Sequence, residues 1–255
     1  MKDCELNKIL ELHQKWLNVE EGGVRANLQG VNLQGIDLHK ADLRGANLCG
    51  ADLRESNLYE ANFFEANLYK ANLYKANLCE ANLCEANLFE ANLYGANLYA
   101  ADLRGADLNK ADLYGVNLRG ADLNKAVLYG ANLYGANLCR AKNAPFIPYT
   151  CPEKGEFVAF KKCGEYIIEL LIPADAKRCS ATTRKCRASY AKVLSITTLD
   201  GEIAKTDRVM NSNYPSHIVY KVGEFVYPDS FDEDRWRECS HGIHFFINRQ
   251  EAVEY

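Results

Sequence analysis

The sequence predicts a mainly β solenoid followed by a small α+β domain, and three observations carry that prediction. Residues 26–140 repeat a five-residue unit twenty-three times without interruption. The unit is apolar at two positions that lie two apart, and the pattern stops at Lys142 and Asn143. A unit this short can bury its apolar face only against its neighbours, so the period decides the architecture before local propensity does.

Leu28, Leu33, Leu38 and every fifth residue to Leu138 is leucine, except Phe63. Two positions earlier stands alanine, except at Val31, Ile36, Ser56 and Val116, and between the two stands Asn or Asp, except at Val127. A helix advances about 100° per residue, so a five-residue period would scatter the leucines around its axis. A flat strand would send alternate leucines to opposite faces, because five is odd. A short extended piece that points Ala and Leu inward, followed by a corner, satisfies the pattern. Glycine ends 10 of the 23 copies, as a tight corner favours, and the Asn or Asp can bond local backbone or stack between coils.

This A(D/N)LXX signature resembles that of pentapeptide-repeat proteins over the whole of 26–140. The resemblance implies a right-handed quadrilateral β-helix in which four repeats make one square coil, with Leu and Ala inside. Twenty-three copies then make just under six coils, roughly 28 Å at a strand spacing of ~4.8 Å. A coil of that length also fixes which outward residues stack. Tyr74, Tyr94, Tyr114 and Tyr134 fall in one column below Gln34 and Arg54, making one face a tyrosine strip. Tyrosines are enriched in interfaces, so this strip is the candidate binding surface, and stacking that only stabilises the coil is the alternative. Val127 breaks the polar rule beside Tyr129, which suggests that this spot is covered by the C-terminal domain or a second subunit. Glu55, Glu60, Glu65, Glu80, Glu85 and Glu90 flank Lys70 and Lys75, the pattern of a solvated belt.

An open coil end exposes leucines and unpaired backbone. Residues 3–19 read as an amphipathic capping helix, with Leu6, Ile9, Leu10, His13, Trp16 and Leu17 on one face and Trp16 placed to seal the first coil. The domains are therefore 1–23, the capping helix; 24–143, the β-helix; and 144–255, an α+β domain. In the last, strand-like runs occur at 156–161, 165–172, 190–199, 217–221 and 243–248, and 249–255 reads as a short helix.

Composition excludes more than it assigns. The net charge is −4, distributed as −2, −1 and −1 over the three domains, so none has the basic excess of a nucleic-acid binder. No apolar run approaches the ~18–20 residues that span a bilayer. The N-terminal stretch is studded with charge, unlike a signal peptide. The 10 cysteines are read as reduced thiols of a cytoplasmic protein, because several occupy variable positions of the repeat.

Three features of the last domain bear on chemistry. Lys177, Arg178, Arg184, Lys185, Arg187 and Lys192 form a basic cluster, of which Arg184, Lys185 and Arg187 are the candidate phosphate or acidic-partner ligands, with a solvated loop as the alternative. Cys239, His241 and His244 in ECSHGIHFF offer a zinc set, without the CxxC that usually accompanies one. A Cys–His nucleophilic pair there lacks a third orienting group. The motifs IPADA, RKCRA, FDEDRW and ECSHGIHFF make the domain resemble one of unknown function found behind pentapeptide repeats. That resemblance implies no reaction.

The expected function is a non-enzymatic interaction scaffold with a protein partner, no membrane, no direct nucleic-acid contact and no cofactor, as a monomer or homodimer. The resemblance adds an alternative, since some members mimic duplex DNA and protect DNA gyrase. Those members are markedly acidic and end in a dimerising helix, and this chain departs from both. An enzyme or metal module in the last domain is the remaining alternative.

Overall fold

The computed structural model describes residues 3–147, 149–211, 218–237 and 240–255. It divides into two units, Met1–Phe146 and Ile147–Tyr255.

The first unit opens with α1, Asp3–Leu17, and continues as a β-coil. Parallel bridges join residues twenty apart, from Asn27 with Asn47 to Asp122 with Lys142, so four copies make one coil. Backbone bonds repeat in the same register: Leu28 N–H donates to Asn47 O at 2.7 Å, and Asn47 N–H donates to Ala26 O at 3.0 Å. Leucines from Leu43 to Leu118, with Phe63 among them, are fully buried, and the alanines between them nearly so.

Each corner is a turn closed by the residue after it, as in Ala51 N–H to Leu48 O at 3.0 Å. The third residue of such a turn takes positive φ, and all twenty-three copies do so there. Glycine meets this demand at ten corners. Glu, Lys, Arg and Ala meet it at the others, with φ between 53° and 60°.

The Asn position has two functions. Its Oδ1 accepts the N–H two residues on, as Asn82 does from Cys84 at 3.0 Å. Its Nδ2 donates to the Asn or Asp one coil below. One column of these bonds runs from Asn117 through Asn97, Asn77 and Asn57 to Asp37, with lengths from 2.9 to 3.2 Å. An Asp lacks that donor, and at three Asp positions an outward Arg two residues on takes the carboxylate: Arg44 with Asp42, Arg54 with Asp52, Arg104 with Asp102.

The first coil is capped by α1 through two residues of the expected face, but Trp16 is not the residue that seals it. Leu6 and His13 are buried, whereas Trp16 is 40% exposed, stacked on the His13 ring at 5.4 Å and lying beside Gly45. His13 Nδ1 accepts the N–H of Ala26 at 3.0 Å, a donor that has no preceding repeat to serve it. A flat indole covers area, but only the imidazole supplies an acceptor. At Gly23 a side chain would sit 2.5 Å from the Trp16 nitrogen, so glycine is required where the chain leaves the helix.

The second unit begins with the hairpin β1 (Phe157–Cys163) and β2 (Tyr166–Ile172). β3 (Arg178–Ser180) and β4 (Cys186–Ala188) follow, then β5 (Ala191–Thr198), β6 (Arg208–Asn211), β7 (Ile218–Lys221), β8 (Phe225–Val226), β9 (Ile243–Phe245) and α2 (Arg249–Glu254). The sheets run β1-β2-β5-β8, β3-β4-β9 and β6-β7. Ile168, Leu170, Ile172 and Val193 share one core with Cys186, Ala188, Ile243 and Phe245. Asn248 caps α2 by accepting from Gln250 N–H at 2.8 Å. β3 and β4 lie in the stretch read from the sequence as a basic loop, because their charged side chains conceal a buried pairing. His217 and Pro148 lie outside the described residues.

Positive φ costs an L-residue about 1–2 kcal/mol, and glycine costs about 0.4–1 kcal/mol through the unfolded chain. Ala100→Gly, at φ 55°, is therefore expected to stabilise the coil by about 0.5–1 kcal/mol. Urea unfolding followed by circular dichroism checks this, and a lowered midpoint would refute it.

Candidate functional site

On the coil, the twenty-residue register stacks the predicted tyrosines. Tyr74 and Tyr94 lie 5.5 Å apart between ring centroids, Tyr94 and Tyr114 4.9 Å, and Tyr114 and Tyr134 5.5 Å, with planes within 24° of parallel. Tyr94, Tyr114 and Tyr134 are 38%, 37% and 44% exposed, so the ladder presents ring area to solvent while its members support one another. Lys75 Nζ lies 5.1 Å from the Tyr74 ring centroid. On the preceding face Tyr69 stacks on Phe89 at 5.9 Å.

Val127 is 48% exposed and Tyr129 84%. The missing Asn is compensated from one coil below, where Asn109 Oδ1 accepts the Tyr129 N–H at 2.7 Å. The charged belt is knitted by pairs such as Lys70 with Glu90 at 3.3 Å and Lys40 with Glu60 at 3.6 Å. Its groups are largely exposed, and surface pairs of this kind contribute about 0–1 kcal/mol each.

The basic cluster of the second unit is not one surface. Arg184 is half exposed and pairs with Glu251 at 2.7 Å. Lys185 is buried, its ammonium donating to Tyr255 Oη at 2.9 Å. Arg187 is 2% exposed, and its guanidinium donates to the carbonyls of Asp232, Asp234 and Arg237 and to Cys179 Sγ. Two further arginines behave alike. Arg178 donates to the carbonyls of Pro152, Gly155, Pro173, Ala174 and Ala176, and Arg235 to those of Ser180 and Ile147. Apart from Ser180 at the end of β3, the carbonyls they serve lie in irregular segments, which a planar fork of five donors can reach and an ammonium cannot. Arg178 and Arg235 had no signal in the sequence as clamps, since a charged residue in a polar stretch reads as solvated.

The candidate zinc set does not assemble among the described residues. Cys239 lies outside them, His241 is exposed in a bend, and His244 is on β9. Among the described residues no group of three or more His, Cys, Asp or Glu side chains is placed to hold a metal ion. His244 lies opposite Arg187, which lies opposite Cys179, in one row across the small sheet. Burial, and then the charges of Lys185, Lys161 and Arg187, push the His244 pKa down to about 3, so its ring is neutral at pH 7.

The repeat signature, the twenty-residue bridges and the family models agree. Residues 26–64, 41–78, 66–105 and 106–142 match the model described as pentapeptide repeats (8 copies). The chain belongs to the pentapeptide-repeat proteins. Residues 147–252 match a family of unknown function, DUF5758. Among solved pentapeptide-repeat structures, HetL from the cyanobacterium Nostoc sp. PCC 7120, described as involved in heterocyst differentiation regulation, is 42% identical over 49% of this chain and 56% of its own, with a TM-score of 0.34. Rfr23 from the cyanobacterium Cyanothece 51142 is 30% identical over 51% of this chain and 95% of its own, with a TM-score of 0.37. QnrB1, a plasmid-mediated fluoroquinolone resistance protein, is 18% identical over 47% of this chain and 73% of its own, with a TM-score of 0.26. No curated protein matches the chain. Among the described residues no helix is long and apolar enough to cross a membrane.

Two outcomes follow for the second unit. Arg187→Lys is expected to lower its stability by about 2–3 kcal/mol, because three carbonyls lose charge-assisted donors, while Arg184→Ala changes it by no more than about 1 kcal/mol. Equal effects in urea unfolding would contradict this assignment. His244 binds its proton more weakly folded than unfolded, so its contribution is complete above pH 6.5 and is lost as pH falls from 6.5 toward 3. Between pH 7 and pH 5, His244→Gln should lose about 2 kcal/mol less stability than the unsubstituted protein. Parallel losses in the two proteins would show that the ring does not carry this dependence.

Proposed function

We propose that the coil is a rigid, non-enzymatic scaffold that holds a partner protein against the Tyr74, Tyr94, Tyr114 and Tyr134 ladder. The observation that carries this reading is aromatic area left in solvent at three consecutive rungs, 37–44% exposed. Stacking contributes about 0.5–1.5 kcal/mol per aromatic pair, so the ladder also stabilises the coil. That gain does not require exposed rings, and exposed aromatic rows on rigid elements are the usual anchors of protein interfaces. The bore supports the same reading, since leucine and alanine fill it and leave no room for a substrate.

The scaffold is read as just under six coils, square in section, spanning residues 24–143 behind a capping helix at 1–23, with residues 144–255 as the attached domain. It acts in the cytoplasm as a monomer or homodimer. The direct test uses the full chain as bait in nuclease-treated host lysate, beside a Tyr94→Ser, Tyr114→Ser double variant whose circular dichroism matches. Recovery of the specific partner is expected to fall roughly tenfold or more. Undiminished recovery on the variant would move the interface away from the ladder.

A further inference from the structure

The geometry points to Cys151 and Cys186 as an oxidisable thiol pair that reacts with a peroxide to form a disulfide within the second unit. Two hydrogen bonds place the pair. Thr150 N–H donates to Ser180 Oγ at 2.8 Å, and Thr150 Oγ1 donates to Thr183 O at 3.2 Å, which pins the chain just before Cys151 against the end of β3 and the turn into β4. Ser180 faces Cys186 in the β3–β4 register, so the residue after Thr150 falls beside Cys186. Both are thiols, 3% and 0% exposed, within one core cluster, and Cys186 Sγ donates to Arg184 O at 3.6 Å.

The surroundings determine which sulfur reacts first. The charges of Arg178 and Arg235 reach Cys151, and among the described residues these guanidiniums donate only to carbonyl oxygens. Glu153 reaches Arg235 through its field alone. Arg235 Nη2 is buried without an acceptor among the described residues. The cations thus lack a hydrogen-bonded carboxylate, and a thiolate is the anion that this core can offer. The neighbouring Cys186 thiol, with the two guanidiniums behind it, brings the Cys151 thiol down against the opposing effect of burial. The same neighbouring pair, then burial, pushes the Cys186 thiol up and keeps it protonated. Cys179 receives Arg187 Nη2 at 3.3 Å, yet burial dominates there and raises its thiol.

The chemistry balances with hydrogen peroxide as the oxidant. The Cys151 thiolate attacks one peroxide oxygen, the O–O bond breaks, and hydroxide leaves, giving a sulfenic acid at Cys151. The Cys186 sulfur attacks the Cys151 sulfur, its proton joins the departing hydroxyl as water, and the S–S bond forms. Two thiols and one peroxide become one disulfide and two waters, with two electrons passing from sulfur to oxygen.

The test treats the native full-length protein with hydrogen peroxide, alkylates what remains, and maps peptides without reduction by mass spectrometry. The expected product links the peptides of Cys151 and Cys186, with two alkylatable thiols lost. In Cys186→Ser the reaction stops one step earlier, and dimedone labels Cys151. If both sulfurs remain alkylatable after unfolding, or if either links to Cys179 or Cys239 instead, the pairing is wrong. Dimedone labelling of Cys186 in Cys151→Ser would overturn the order of reaction. If Cys186→Ser does not fold, the map of the unsubstituted protein decides alone.

Discussion

The register of twenty residues per coil is the constraint on which the coil unit depends. It is maintained by three sets of contacts that agree: leucines filling the bore, backbone donors at each Leu and corner reaching the coil above, and side-chain amides repeating every twenty residues. The leucines alone would tolerate slippage by one copy, because every copy offers the same apolar pair. The Asn and Asp ladders distinguish registers weakly. The outer columns distinguish them more strongly, since Tyr94 meets Tyr74 and Tyr114 only in this alignment. Backbone satisfaction sets the pitch, and side chains on the outside select among equivalent pitches.

The second unit solves the same problem of unpaired backbone by another means. Its strands are short, from two to eight residues, so long stretches of carbonyl have no strand to bond. Three arginines supply donors in place of a ladder, and the cost of burying cations is offset by charge-assisted bonds to many oxygens. Electropositive interior space results, and neighbouring thiols and a histidine respond to it in opposite directions according to the partners each finds.

The coil was legible in the sequence because a period makes twenty-three weak signals into one. Stacked tyrosines followed from it as arithmetic once the coil length was known. Its corners were only half legible: glycine marked ten, whereas Glu65 or Lys75 at positive φ carries no mark of its own. The choice of His13 over Trp16 as the buried cap turned on an acceptor for one N–H, a need that hydrophobic pattern does not express. In the second unit the apolar strands β1, β2, β5, β7 and β9 and the helix α2 were visible. β3 and β4 were hidden by Arg178 and Arg187, whose charge suggests solvent although both are buried. A carbonyl clamp is a relation between distant segments, and no single-residue pattern records it.

The twenty-residue register also dictates how such a chain can change length. Insertion or loss of four copies adds or removes one storey and leaves every column intact. Loss of a single copy keeps the leucine bore filled but transfers each downstream outward residue to the neighbouring column, so that Tyr114 would no longer stand over Tyr94. Stability and surface identity are therefore exposed to different indels: the core tolerates steps of five, and the aromatic face tolerates only steps of twenty.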